Sequence, residues 1–177
     1  METIIGALLS RGADPNITAQ PLPPLHYAIL GKDMVGVQKL IQKGASLDTC
    51  LPGDKGGYSP LHLAVALASV REIPIVEHLL ESGACPNLPT NTLEEIYTMT
   101  TPTAVNWQDS PLEGWTALHI ACSCGVNTGK AASAEIVSLL LKHGANPNQI
   151  TFGHSPLSLA IMHGLNEVSL RMWTWAQ

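Results

Sequence analysis

Aromatic side chains are scarce in this chain: one Phe, three Tyr and four Trp among 177 residues, 5% in all. Charge is scarce too, at 13%, and it leans acidic, with nine Lys and Arg against fourteen Asp and Glu. A net charge of −5 supplies no basic face to neutralise phosphates along a nucleic acid, which argues against that class of partner. Long apolar runs are missing as well. The longest stretch, near 61–70, is about half what a bilayer span needs, and "METIIGALLSRG" carries no basic segment ahead of its apolar run. No membrane partner and no secretory signal are therefore expected. The four cysteines, Cys50, Cys85, Cys122 and Cys124, follow no spacing used by disulfide scaffolds. Reduced thiols in the cytoplasm, or in the nucleus, are the expectation.

What the chain does have is a 45% hydrophobic fraction made largely of small and aliphatic residues, far from disordered composition. It also repeats itself. "PPLHYAIL" at 23–30, "SPLHLAVA" at 59–66, "TALHIACS" at 116–123 and "SPLSLAIM" at 155–162 are four copies of one phrase. A second phrase alternates with it: "LLSRGADPN" at 8–16, "LIQKGASLD" at 40–48, "LLESGACPN" at 79–87 and "LLKHGANPN" at 140–148. From His26 to Gly44 is 18 residues, from His62 to Gly83 is 21 and from His119 to Gly144 is 25, so only small insertions separate the two phrases. The first phrase reads as a short helix whose alanines permit close packing. The second follows a helix such as "IVEHLL" at 75–80, with Ile75, Val76, Leu79 and Leu80 at the spacing of one buried face.

The spelling marks where these helices start and stop. Ser59, Thr116 and Ser155 can accept from orphan backbone N–H groups at a helix start, and Pro24, Pro60 and Pro156 take the first helical position, where a missing N–H costs nothing. Gly12, Gly44, Gly83 and Gly144 stand where the second helices end, a place that favours a left-handed residue.

Four hexapeptides in register with Gly-Ala phrases or the chain end resemble the T-P-L-H-x-A signature of ankyrin repeats over nearly the whole chain. The resemblance implies an all-α solenoid of stacked helix-turn-helix units with hairpin-like finger loops. Units are expected at about 1–16 (partial), 17–48, 49–87, 114–148 and 149–177, with 88–113 as a long inserted finger. Departures are visible: Pro23 replaces the capping Thr, Ser158 replaces the last His, and the first unit has no Pro-Leu-His phrase. The chain thus starts in mid-repeat and reads as a fragment or shortened product of a longer array. Trp173 and Trp175 are expected to cap the other end. The array is also similar to those of ankyrin proteins that carry a MYND zinc finger, although no cysteine-rich finger stands in this sequence.

The resemblance assigns His26, His62 and His119 to the third helical position, as polar ties to the capping side chain and to a neighbouring unit. An alternative is a metal- or thiol-dependent site around His119, Cys122 and Cys124, since imidazole and thiolate are zinc ligands. Two residues separate the cysteines by about 200° on a helix, and no fourth ligand stands at a recognised spacing. "GVNTGK" at 125–130 is one residue short of a phosphate loop and follows a helix where a strand is required, so it reads as an insertion between two helices. No catalytic signature and no cofactor-binding pattern appears.

A non-enzymatic protein-interaction module or scaffold is therefore expected, probing another protein through its concave face and fingers, as a monomer or within a larger chain; a structural spacer is the other reading. Tyr58, Tyr97, Met99, Trp107 and Trp115, in or beside the two lengthened fingers, are the candidate partner-binding residues. His26, His62, His119, Thr116, Gly44, Gly83 and Gly144 are the structural repeat residues. Asn16, Asn87 and Asn148 also resemble the hairpin asparagines that an asparaginyl hydroxylase modifies in some ankyrin proteins.

Overall fold

The computed structural model describes residues 4–17, 22–50, 58–90, 114–128, 130–151 and 153–175, and gives side chains for these apart from 124–131, Trp173 and Trp175. Its elements are all helical: α1 (Ile4–Ser10), α2 (Pro24–Leu30), α3 (Met34–Gln42), α4 (Pro60–Leu67), α5 (Ile73–Glu81), α6 (Ala117–Thr128), α7 (Lys130–Lys142), α8 (Pro156–Met162) and α9 (Asn166–Trp175). Among the described residues the only β pairing is an isolated antiparallel bridge between Thr151 and His154.

Helix starts follow the sequence signals. Ser59 accepts from the His62 amide and Ser155 from the Ser158 amide, each with a proline in the first turn and a reciprocal bond that completes a capping box. Helix ends follow the Gly-Ala phrase. Gly12, Gly44, Gly83 and Gly144 hold φ of 91°, 85°, 99° and 86°, the left-handed region that an L side chain resists. The alanine after each glycine then donates to a carbonyl five residues back, at 2.9 Å for Ala45 to Leu40 and 3.0 Å for Ala84 to Leu79. That is the Schellman closure, and it explains why Gly and Ala travel together.

Two layers result. The first helices of successive units pack in a row, α2 on α4, α4 on α6 and α6 on α8; the second helices pack in another, α1 on α3, α3 on α5, α5 on α7 and α7 on α9. Within units α2 packs on α3, α4 on α5, α6 on α7 and α8 on α9. The core runs continuously between the layers through Leu25, Leu61, Leu79, Leu118, Leu140 and Met172. Burying each such side chain contributes about 1.5–3 kcal/mol.

One expectation is corrected here. The segment 125–130 is not a connecting insertion: α6 continues to Thr128 and α7 begins at Lys130. The extra residues of that unit lengthen its two helices beyond those of its neighbours, which keeps their backbone groups paired and the stack undisturbed.

Candidate functional site

The polar residues that could carry chemistry are drawn from the first turn of the first helices, because the cap places them there. Nε2 of His62 lies 2.9 Å from the Leu88 carbonyl oxygen, which can only accept, so this nitrogen carries the proton. Nδ1 then accepts from the Ser59 hydroxyl at 2.9 Å and the Ser59 amide at 3.2 Å. His119 repeats the Nδ1 half of the arrangement, 2.8 Å from the Thr116 hydroxyl and 3.3 Å from the Thr116 amide, while its Nε2 has no hydrogen-bond partner among the described residues. His26 donates through Nε2 to the Tyr58 carbonyl at 3.0 Å, but its Nδ1 has no hydrogen-bond partner among the described residues. The reason is local: Pro23 offers neither a hydroxyl nor an N–H where Ser59 and Thr116 offer both.

All three imidazoles are buried and held neutral. Burial pulls His26 and His62 down to about 4, against the smaller opposing pull of the Tyr58 and Leu88 carbonyls. Burial also lowers His119, with the backbone of His154 and Gln149 in the following unit working the other way. His26 and His62, this far below the ordinary value, are poor proton shuttles near neutral pH.

The cysteines divide. Cys122 is fully buried, its thiol 3.8 Å from the Met172 sulfur, and burial pushes it up to about 12. It is a protonated core side chain, and a poor nucleophile or metal ligand. The side chain of Cys124 lies outside those described. Among the described residues, no group of three or more His, Cys, Asp or Glu side chains is arranged to hold a metal ion.

Two of the proposed partner-binding aromatics require correction. Tyr58 and Trp115 are only 3% and 4% exposed. Each precedes its cap by one residue and turns inward, its ring centroid 6.0 Å from that of His62 and 6.1 Å from that of His119 respectively. Leu22, at the same place before Pro23, is buried too. These residues pin the chain's entry into the first helix, as a hydrophobic staple does. The signal was readable as an aromatic directly before a Ser or Thr cap, twice. Tyr97, Met99 and Trp107 lie outside the described residues.

The fingers are held by residues whose role the sequence did not disclose. Asn16 donates to the Gly44 carbonyl at 2.9 Å and accepts from the Ser46 amide at 2.7 Å. Asn87 does the same two interfaces further on, donating to Gly144 at 2.9 Å and accepting from Asn146 at 2.8 Å. Asp48 keeps the acceptor half, taking the Cys85 amide at 2.9 Å. Each bracket ties one finger to the next. Thr90, buried, closes the base of the long insert: its amide donates to the Trp115 carbonyl at 2.8 Å, its hydroxyl accepts from the Trp115 amide at 2.9 Å, and its carbonyl accepts from Gly114.

No helix among the described residues is long and apolar enough to cross a membrane. Compared with known families, the chain matches the model for ankyrin repeats (3 copies) over residues 1–90 and 91–170. It is similar to ankyrin repeat and MYND domain-containing protein 1 of Homo sapiens, 37% identical over 187 residues that take in 94% of this chain and 19% of that protein. The Mus musculus protein of the same name is 35% identical over 181 residues, 90% of this chain and 20% of its own length. Ankyrin repeat and SOCS box protein 3 of Bos taurus is 34% identical over 161 residues, covering 79% of this chain and 27% of the relative. The chain thus spans about a fifth to a quarter of the curated relatives it matches.

Proposed function

Because the chain belongs to the ankyrin-repeat family, whose members generally act as protein-protein interaction modules, we propose that it is a non-enzymatic recognition module for another protein. One observation carries this reading. The motif side chains that could do chemistry are consumed by the fold: His26 and His62 by their neighbours' carbonyls and burial, His119 by the Thr116 cap and burial, Cys122 by the core, Asn16 and Asn87 by the brackets. What the repeat leaves available is surface, and a rigid stack with projecting fingers suits recognition of an extended protein face. The partner engages the inner helices and the fingers, with Tyr97, Met99 and Trp107 of the 88–113 insert as the proposed aromatic and thioether anchors. A cytoplasmic or nuclear setting fits the protonated, buried Cys122 and the acidic, weakly charged composition. The protein works as a monomer or as a segment of a larger chain, with no nucleic acid, membrane or cofactor.

Affinity purification with mass spectrometry, using the chain with and without residues 91–109, tests the proposal. A reproducible protein retained by the whole chain and lost on deletion supports it. An identical set from both would remove the insert as the contact, and no specific protein from either would remove the recognition reading itself.

A further inference from the structure

The two helices of a unit are joined by three residues in the second unit, Gly31 to Asp33, and in the last, His163 to Leu165, whereas α4 and α5 are joined by five, Ala68 to Glu72. Ser69 and Glu72 close this longer connection into a turn. The Glu72 amide donates to the Ser69 carbonyl at 3.0 Å, the Ser69 amide donates to the Glu72 carboxylate at 2.9 Å, and the Ser69 hydroxyl donates to the same carboxylate oxygen. The Glu72 carbonyl then accepts from the Ile75 amide at 2.9 Å, so the turn runs directly into α5. The two central residues are left projecting: Val70 is 63% exposed, and Arg71 is exposed and makes no ion pair among the described residues.

A second tie orients the turn from the neighbouring unit. The other oxygen of the Glu72 carboxylate lies 3.3 Å from the Lys32 ammonium, in the connection between α2 and α3. Lys32 holds φ of 54°, the only left-handed residue other than glycine among the described residues, at the place where the last unit has Gly164 at 65°. A lysine in that conformation is strained, and a half-exposed ion pair returns little stability. What the pair fixes is the position of the turn. It also occupies Glu72, which leaves the Arg71 charge without a counter-charge in a chain of net charge −5.

We propose that Val70 and Arg71 form a recognition knob for a protein segment that sets an acidic side chain beside an apolar one. A guanidinium without an internal partner matches a carboxylate in a two-bond contact, and the valine next to it supplies apolar surface that keeps water from the pair. Three hydrogen bonds and the ion pair fix the turn before binding, so little freedom is lost on contact. One free cation beside an apolar side chain does not suit a phosphate backbone, which takes a row of them. The knob stands at the ends of α4 and α5 remote from the fingers, since α4 begins beside one finger and α5 ends at the next. The inference rests on the reading of the chain as a protein-recognition module but uses neither the concave face nor the 88–113 insert, so the two can fail separately.

The probe is a short synthetic peptide rich in Glu and Leu, titrated by NMR into the isotope-labelled whole chain, with Gln-for-Glu and Ser-for-Leu versions as controls. Saturable shifts centred on the amides of residues 69–72 and of Lys32, absent with both controls, are the expected result. Arg71→Glu and Val70→Ser, at exposed positions, should leave the thermal midpoint in place and weaken binding about tenfold or more. Deletion of 91–109 should leave the affinity for the peptide unchanged. Shifts centred elsewhere, no saturable shift, or equal binding by Arg71→Glu would overturn the knob, and the recognition reading would still stand or fall on the insert-deletion comparison.

Discussion

Pro23 and His26 show how one departure from a repeated phrase propagates into physics. The phrase supplies an acceptor nitrogen, Nδ1, for a hydroxyl and an amide at the cap; Pro23 has neither, and Nδ1 of a fully buried ring is left without a hydrogen-bond partner among the described residues. A buried polar atom without its bond costs about 1–3 kcal/mol, while the stiffness that Pro23 lends the unfolded chain is worth about 0.4–1 kcal/mol. The first outweighs the second, so Pro23→Ser is expected to stabilise the chain by about 1 kcal/mol, read from urea denaturation at pH 7; a loss of stability would show that Nδ1 is satisfied in another way. The buried rings also set a pH dependence. His26 and His62 titrate near 4 when folded and near 6.5 when unfolded, so between those values the unfolded chain takes up protons that the folded chain refuses. Their contribution is complete above pH 6.5 and is lost as pH falls towards 4, by about 2 kcal/mol per histidine at pH 5. Denaturant midpoints measured from pH 7.5 down to 5 should fall monotonically, and a flat profile would mean the rings are accessible to water.

At the scale of elements, what was legible in the sequence is what is decided within a few residues. Caps, first-turn prolines and left-handed glycines act over one helical turn, and the structure places Ser59, Ser155, Gly44, Gly83 and Gly144 in those roles. Contacts between distant residues were not legible. Asn87 and Gly144 are 57 residues apart with the long insert between them, and Tyr58 and Trp115, despite standing directly before a Ser or Thr cap, looked like surface anchors because they lie at the ends of the two lengthened fingers. Thr90 gave no signal at all, since its partner Trp115 lies 25 residues on. The finger brackets can be weighed by substitution. Asn87→Ala removes a donor and an acceptor at an exposed site and is expected to cost about 1–2 kcal/mol. Asn87→Asp keeps the bond from the Asn146 amide and loses the one to Gly144, as Asp48 already does one interface earlier, and should cost about half as much. Equal costs for the two variants would show that the donor half alone carries the bracket.

Over the whole molecule the stack is close to one-dimensional: each helix touches its own unit and the next, so stability is a sum over interfaces rather than the property of one centre. The long insert interrupts the chain between the third and fourth units, yet α4 packs directly on α6 and α5 on α7 across that break. Thr90, Gly114 and Trp115 explain how, because three hydrogen bonds bring the two stems together and pass the chain on as if the insert were absent. Replacing 91–113 by Asn-Gly, a pair suited to a tight turn between antiparallel stems, should therefore leave the stack intact. The loop that must be closed shrinks from 23 residues to two, which by chain entropy favours the folded state by about 2 kcal/mol, less whatever the short turn loses in strain. Stability equal to or above that of the whole chain is the expected outcome in urea denaturation, with a single transition. A loss of more than about 1 kcal/mol would show that the insert packs on the units it connects, and an abolished partner interaction in a variant of undiminished stability would assign the insert to recognition alone.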